Sequence, residues 1–195
     1  MVMSSSPSNS EITTGRYLDQ RKIGNALQQA VDFGASYAEV RLVAETGSSV
    51  NLRDGILENA IPGQEVGVTL RILADGAWGV HSTTDIASLP EQIESTVRLA
   101  KAVAKRRSSS DKPVKLAEIP IFQDEIHWRP KKDIRNTDLS TKIDMLKNIA
   151  DSASDHEKVV STTCGWSDEH IHTELLTSEG MDRVWSFQRS LVRGM

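Results

Sequence analysis

The sequence has little of several residue types, and each shortage excludes a class of protein. A single cysteine, Cys164, rules out an internal disulfide and is typical of a reducing compartment, so we expect a cytoplasmic protein. No apolar run approaches the roughly 20 residues of a membrane-spanning helix, so no membrane partner is expected. The N-terminus lacks a basic segment followed by an apolar one, which excludes a secretory signal.

What is present suits a soluble globular protein. Of the 195 residues, 38% are hydrophobic and 26% charged, while aromatic residues make up only 5%. The formal net charge is −4, which does not favour a general nucleic-acid binder. Residues 1–16 are rich in serine and are predicted to form a disordered leader.

The first half of the chain predicts a helix followed by strands. The first predicted helix has a buried face of apolar residues three or four apart: Ile23, Ala26, Leu27, Ala30 and Val31. Gly34 is predicted to end this helix. A half-buried strand follows, in which every second residue is apolar: Ala38, Val40, Leu42 and Ala44. Short strands are expected on both sides of Asp54-Gly55, and further strands at residues 66–73 and 77–83 around Asp75-Gly76.

The second half predicts two helices and more strands. Ser88 and Glu91 have capping-box spacing before a helix with an inward face of Ile93, Val97, Ala100 and Ala104. A connector follows, with one short strand near residues 119–121. Thr137 or Asp138 then caps a helix that buries Leu139, Ile143, Leu146, Ala150 and Ala153. Strands are expected at residues 158–164, 170–177 and 183–192, the last two joined by a turn at residues 177–180.

This order of elements predicts an α+β fold. An antiparallel meander is packed with helices (helix, strands, helix), and a linker, a helix and further antiparallel strands follow. We divide the chain into a leader (1–16), an α+β N-terminal domain (17–105), a connector (106–136) and a helix with strands (137–195). Because the last part closes on a strand, we expect it to begin a second part of a longer architecture or to need another subunit.

Three blocks of sequence carry a family resemblance. They are "GASYAEVRLVAETGSSVNLRDGILENA", "GVTLRILADGAWGVHST" and "STVRLAKAVAK". Together they resemble the N-terminal region of the TldD/PmbA family, also called modulators of DNA gyrase. The similarity covers residues 23–104 well and residues 139–191 more loosely, where "LLTSEG" is similar to a family turn.

The resemblance implies a cytoplasmic zinc-dependent peptidase that acts on unfolded or small proteins. It also implies paired assemblies, with the chain itself or a paralogous TldD/PmbA-type subunit as partner and a peptide as substrate. The family's His-Glu-x-x-x-His motif lies beyond the matched region, and on a helix its histidines bind Zn²⁺ while the glutamate activates water. The one His-Glu pair here, at His156, has Ser161 in place of the second histidine. We therefore assign no catalytic residue and no cofactor to this chain, and expect zinc in the full-length family.

Two histidines are weak candidates for a metal site. Asp168, His170 and His172 share one side of a strand, because side chains alternate with a period of two. A zinc site would need a third or fourth convergent ligand. The favoured interpretation is a solvated strand face with exposed imidazoles.

Two other candidates are weaker. Cys164 paired with His170 would make a nucleophile, but a lone cysteine is more often a small buried residue. His81 stands beside Ser82, Thr83 and Thr84, whose hydroxyls are expected to satisfy backbone groups at the strand end.

Charge is unevenly distributed along the chain. Six basic residues and one acid lie from Lys101 to Lys115, which offers a weak nucleic-acid binder as an alternative function. The favoured interpretation is a solvated helix end, where cations complement the macrodipole. Residues 151–182 carry eight acids against Lys158 alone, so the two stretches either meet in a subunit contact or are both solvated.

The remaining candidates are scaffold and interface residues. Turn or packing roles are predicted for Gly55, Gly67, Asp75, Gly76, Trp78 and Gly79. On the last strand, one side carries Trp185, Phe187 and Leu191, which are interface candidates. The predicted role is that of a chamber-forming or dimerisation scaffold, and the alternative is a non-catalytic protein-interaction module.

Overall fold

The computed structural model describes residues 15–108 and 112–195, so most of the predicted leader lies outside the described residues. The elements follow the predicted order and confirm the α+β class. The helices are α1 (Gln20–Asp32), α2 (Leu89–Arg106) and α3 (Leu139–Ser154), and a 3₁₀ turn lies at Ile134–Asn136. The strands are β1 (Ala35–Arg53), β2 (Ile56–Ala74), β3 (Ala77–Thr83), β4 (Gln123–His127), β5 (Thr163–Thr177) and β6 (Asp182–Gly194).

Strand lengths are the main departure from prediction. The short strands expected before and after Gly47 are one 19-residue strand, β1, and β2 is equally long. The strands predicted at 158–164 and 170–177 are likewise joined in β5, which begins only at Thr163. The strand expected near 119–121 lies a few residues later, as β4. Polar residues and glycines interrupt the alternation of apolar and polar side chains in the sequence. They do not interrupt the strands, because backbone hydrogen bonds between neighbouring strands continue through a polar stretch.

All six strands form one sheet, in the order β3-β2-β1-β5-β6-β4. Its strands pair antiparallel except for β4, which is parallel to β6. β1 pairs with β2 on one side and with β5 on the other, from Glu39 opposite Thr177 to Arg53 opposite Thr163. The helix-and-strand segment placed in a separate part at 137–195 thus shares its sheet with residues 35–83.

The helices pack on one face of this sheet and leave a gap between them. α1 and α2 cover one half, and the core there includes Val40, Leu42, Leu70 and Ile72. α3 covers the other half with Leu146 and Ala150 over β1, β5 and the sulfur of Cys164. The polar side chains between the two cores occupy the middle of the sheet. On the opposite face, the described residues include no covering helix.

Helix ends show which capping predictions hold. Asp138 caps α3 by accepting a hydrogen bond from the Thr141 amide, as expected. Ser88 makes no side-chain cap on α2, and its hydroxyl donates to the Asp85 carbonyl instead. Gly34 ends α1 with φ +94°, whereas Val31, predicted to face inward, is 36% exposed. None of the helices in the described residues is long and apolar enough to cross a membrane.

Candidate functional site

The polar middle of the sheet opens into two neighbouring cavities. The first, of about 360 Å³, lies against Lys142 and Asp168, and we call it the lysine cleft. The second, of about 380 Å³, is lined by His127, His170 and His172, and we call it the histidine cleft. Arg135, in the 3₁₀ turn, lines both. The β1–β5 register builds their floor, since Thr46 lies opposite His170 and Ser48 opposite Asp168.

A buried ion pair lies in the lysine cleft. The Lys142 Nζ on α3 is 2.6 Å from Asp168 Oδ2 on β5, and the two side chains are 6% and 2% exposed. Asp168 also accepts from the Ser48 amide (2.9 Å), the Ser48 hydroxyl (3.0 Å) and the Trp166 indole (2.5 Å). Every oxygen of the carboxylate is therefore satisfied, which offsets the cost of desolvating two charges and joins α3 to the sheet.

A second buried carboxylate, Glu174, holds His172, which lines the histidine cleft. Glu174 is fully buried and accepts hydrogen bonds from the amides of Tyr17 (2.6 Å) and Leu18 (3.1 Å). The His172 Nε2 lies 3.0 Å from the same carboxylate, and its ring packs on Tyr17 at 5.6 Å between centroids. The segment before α1 is thus fixed to β5 by one carboxylate.

His170 differs from its two neighbours because its ring is unpaired. It is 6% exposed, and its Nδ1 is buried without a hydrogen-bond partner in the described chain. Burial, together with the positive charge of Arg135, lowers the pKa of the imidazole from 6.5 to about 4. His170 is therefore neutral at pH 7. His127, by contrast, has a partner, since its ring shares a 2.8 Å hydrogen bond with the Ser186 hydroxyl. An unsatisfied buried nitrogen is costly and is expected to have a partner that the protein itself does not supply.

The prediction of a solvated face with exposed imidazoles is wrong for Asp168 and His170, which are both buried. Nor do the histidines make a zinc site. His172 is already bound to Glu174, and no group of three or more His, Cys, Asp or Glu side chains in residues 15–108 and 112–195 is placed to hold a metal ion. The residues therefore do not fit the zinc centre that the family implies.

The nucleophile candidates lie apart. Cys164 is buried in the core under α3, six residues along β5 from His170, which is a separation of about 20 Å. His81 is exposed on β3, and Thr83 accepts from the Asp85 amide as predicted for a strand-end hydroxyl. Neither arrangement brings a nucleophile to a base.

The predicted turn residues lie where backbone geometry requires them. Both central residues of each Asp-Gly turn have positive φ, 50° and 73° at Asp54-Gly55 and 51° and 73° at Asp75-Gly76. A Cβ on Gly79 would lie 2.5 Å from the Thr96 carbonyl oxygen of α2, so this glycine lets the helix approach the sheet. Nothing in the structure explains the glycine at 67.

Trp78 is a packing residue on the face opposite the helices. Its ring meets Tyr37 edge-on at 6.1 Å, and the Arg71 guanidinium lies 4.5 Å from its centroid. Arg71 in turn is paired with Glu39, whose carboxylate accepts a hydrogen bond from the Tyr37 hydroxyl. The four side chains form a cluster on the surface of β1, β2 and β3.

Part of the basic stretch is engaged in contacts within the fold. Lys101 donates to the Phe33 carbonyl at the end of α1. Arg107 donates to the Asp75 and Gly76 carbonyls at 3.1 Å each, and the Val114 amide reaches the same Gly76 oxygen. The prediction of a solvated helix end therefore needs correction at these two side chains.

The interface candidates lie on the sheet face opposite the helices. Phe187 is 37% exposed, Leu191 is more exposed and Trp185 is half-buried. Ile126 of β4 lies beside Trp185 in the register and is also exposed. We call the surface formed by Val43, Ile126, Trp185, Phe187 and Leu191 the open face.

Sequence comparison identifies one part of this fold directly. Residues 38–104 match the family described as PmbA/TldA metallopeptidase domain 1. These residues are therefore similar to the first domain of that family. The matched residues begin within β1 and extend nearly to the end of α2, so they include both Asp-Gly turns and Trp78. The resemblance inferred from the sequence is confirmed.

Solved structures share this fold over most of the chain. A Bacteroides thetaiotaomicron protein proposed to modulate DNA gyrase superposes with a TM-score of 0.70 at 19% identity, over 92% of this chain and 41% of that one. A Thermotoga maritima protein with the same proposed role gives 0.63 at 18%, over 91% and 38%. TldE of Thermococcus kodakarensis gives 0.60 at 18%, over 88% and 38%.

Two curated metalloproteases are similar in sequence. That of Methanocaldococcus jannaschii is 29% identical over 149 residues, which cover 74% of this chain and 32% of the relative. That of Methanothermobacter thermautotrophicus is 25% identical over 163 residues, covering 84% and 34%. The aligned residues of this chain therefore span about a third of the length of these relatives.

The burial of three polar residues was missed in the sequence. Lys142 stands four residues before Leu146 and eight before Ala150, in the apolar row of α3, and this position signals a buried cation. Asp168 and Glu174 share the strand side of Cys164 and Leu176, which marks them as inward-facing. In each case the signal was a charge in register with apolar neighbours.

Proposed function

We propose that this chain is the N-terminal scaffold of a PmbA/TldD-type metallopeptidase, and that it encloses a peptidase chamber in the cytoplasm. The observation that carries the proposal is the match of residues 38–104 to the first domain of a metallopeptidase family. The curated relatives are metalloproteases, and the aligned residues cover only 32% and 34% of them, so their remaining length has room for a catalytic portion. In this scheme zinc and its ligands belong to that portion.

The structure suggests how such a scaffold would work. β1 is the central support, since it pairs along its length with β2 and over 15 residues with β5. Three helices cover one face of the sheet. The open face remains available for a subunit, either a second copy or a paralogous TldD/PmbA-type chain. Apolar side chains exposed together on a flat sheet are typical of protein contact surfaces.

A peptidase assay tests the scaffold role. The purified chain, supplied with Zn²⁺ and an unfolded protein, is expected to give no metal-dependent cleavage. The positive control is a PmbA/TldD-type protein that contains His-Glu-x-x-x-His. Turnover by this chain alone that a chelator abolishes would contradict the proposal.

A non-catalytic interaction module is the second candidate function, and the open face favours it. The two functions are separated by mixing the chain with a PmbA/TldD-type subunit that carries the metal motif and following both complex formation and hydrolysis. A scaffold forms a complex and changes the rate or range of cleavage. An interaction module forms complexes that leave hydrolysis unaltered.

A further inference from the structure

We infer that the histidine cleft binds an α-carboxylate together with the amide and apolar side chain of the residue that bears it, as found at the C-terminus of a peptide or in an N-acylated amino acid. This binding goes beyond the scaffold role and is measured without turnover, so either proposal can fail alone.

The first element of the inference is the unpaired nitrogen of His170. A buried imidazole that is neutral at pH 7 can accept a hydrogen bond at Nδ1 when the proton is on Nε2. This Nδ1 has no hydrogen-bond partner in the described residues, although the ring lines a cavity large enough for a ligand. An amide N–H from a ligand would satisfy this atom.

The second element is the charge of the lining. Two of its three arginines are neutralised, because Arg16 pairs with Asp182 at 2.5 Å and Glu125 at 3.1 Å, and Arg135 pairs with Asp133 at 2.6 Å. Arg129 has no salt bridge or hydrogen bond within residues 15–108 and 112–195, so a single positive charge remains. The planar guanidinium fork matches a carboxylate in two parallel hydrogen bonds. One excess charge suits a monoanion better than a phosphate dianion.

The third element is the exposed ring of Trp128. This side chain is 70% exposed at the rim of the cleft, next to Arg129 in the sequence. An indole so placed offers a flat apolar surface to a ligand side chain. The volume of about 380 Å³ is roughly a dozen times that of a water molecule, which is ample for one acylated amino acid.

The test measures binding of four probes by titration calorimetry at pH 7. They are N-acetyl-leucine, its C-terminal amide, a short unstructured peptide ending in leucine with a free carboxylate, and the same peptide amidated. We expect millimolar or tighter binding of at least one free acid and about tenfold weaker binding of its amide, the loss typical of a charged hydrogen bond. Binding of both acids indicates recognition of the terminal residue alone, and binding of the peptide only indicates further contacts along the chain.

Matched variants assign the binding to the cleft. Arg129→Gln is expected to weaken binding of the free acid about tenfold and to remove the difference between acid and amide. Arg21→Gln, on the exposed side of α1, is the control and should bind as the parent does. His170→Gln should weaken both acid and amide, and circular dichroism establishes whether it folds. Because Arg129 is exposed, its variant keeps the test decisive if the His170 variant unfolds.

Three outcomes overturn the inference. One is equal affinity for acid and amide, which would remove the role of the carboxylate. Another is parent-like binding by Arg129→Gln. The third is the absence of binding for all four probes at millimolar concentration.

Discussion

Lys142 shows how one charged side chain can join two layers of a protein. Replacing it with methionine leaves the Asp168 carboxylate buried without its counter-ion, and the free energy of unfolding is expected to fall by about 3 kcal/mol or more. Lys147→Met, on the exposed side of the same helix, should change it by less than about 0.5 kcal/mol. Urea denaturation of both variants measures the difference. Equal stabilities would mean that the ion pair contributes nothing to the attachment of α3.

Gly76 permits a turn that a side chain would strain. Its φ is +73°, and a Cβ there would lie 2.5 Å from the Cβ of Pro113. Gly76→Val is therefore expected to lower the free energy of unfolding by about 1–3 kcal/mol. Gly67→Val is the matched control, since no atom lies within 4 Å of the corresponding Cβ. If thermal denaturation shows the same midpoint for the Gly76 variant as for the parent, the turn does not need glycine.

Local chemistry made the turns predictable, and tertiary contact made the site unpredictable. Asp-Gly pairs specify positive φ by themselves, so both hairpin corners were located from two residues each. The need for Gly47 was not foreseen, because it arises from a strand more than 100 residues away: a Cβ at this position would lie 2.0 Å from the Asp168 carbonyl oxygen. The burial of His170 likewise depends on β4, the 3₁₀ turn and the segment before α1 meeting over β5.

At the level of elements, helices were predicted more closely than strands. The inward faces of α1 and α2 follow from the 3.6-residue period and agree with the structure at most positions. Strand ends were misplaced because polar residues at the centre of β1 and β5 face the clefts and break the alternation. The residues that obscured the strands are therefore the ones that form the candidate site.

The end of α2 is attached to the β2–β3 turn by one side chain. Arg107→Ala removes two hydrogen bonds to turn carbonyls and is expected to lower the free energy of unfolding by about 1 kcal/mol. Lys105→Ala, which removes an exposed charge two residues earlier, should have almost no effect. Denaturant titration of the pair distinguishes a structural contact from a solvated charge. Equal values for the two variants would restore the solvated interpretation of Arg107.

The same two variants test the nucleic-acid alternative. Binding of duplex DNA is expected to be absent or weak in both and in the parent, because the formal net charge is −4. A steep salt dependence in the parent that the Lys105 variant loses would favour a nucleic-acid function.

At the level of the whole molecule, stability should depend on pH through His170. Its pKa is about 4 in the fold and about 6.5 unfolded, so the unfolded chain binds more protons between these values. Stability is thus complete above pH 6.5 and declines as the pH falls toward 4, by about 1–3 kcal/mol. Denaturation at pH 7.5 and 5 measures this decline, which should be smaller in His170→Gln. His81→Gln, exposed on β3, should decline as the parent does.

Self-association is expected through the open face. Trp185 and Phe187 present apolar surface beside Ile126, and a second copy would bury it. Light scattering should show dimers or larger assemblies of the parent, and Trp185→Lys with Phe187→Lys should shift the population toward monomer. Val80→Lys, at an exposed apolar position on the distant strand β3, controls for added charge. A monomeric parent at high concentration contradicts this prediction.

The position of β1 between β2 and β5 also dictates an order of assembly during synthesis. The first hairpin partner of β1 follows immediately in the chain, but its second partner is translated more than 100 residues later. Until β5 leaves the ribosome, the backbone N–H and C=O groups along one edge of the 19-residue strand β1 have no partner strand. Such an edge can pair with another strand of suitable length and register. Closing so long a loop is also slow. A β5 supplied by a neighbouring nascent chain would fit the same register, so exchange of this strand between copies is the misassembly to which the topology is most exposed.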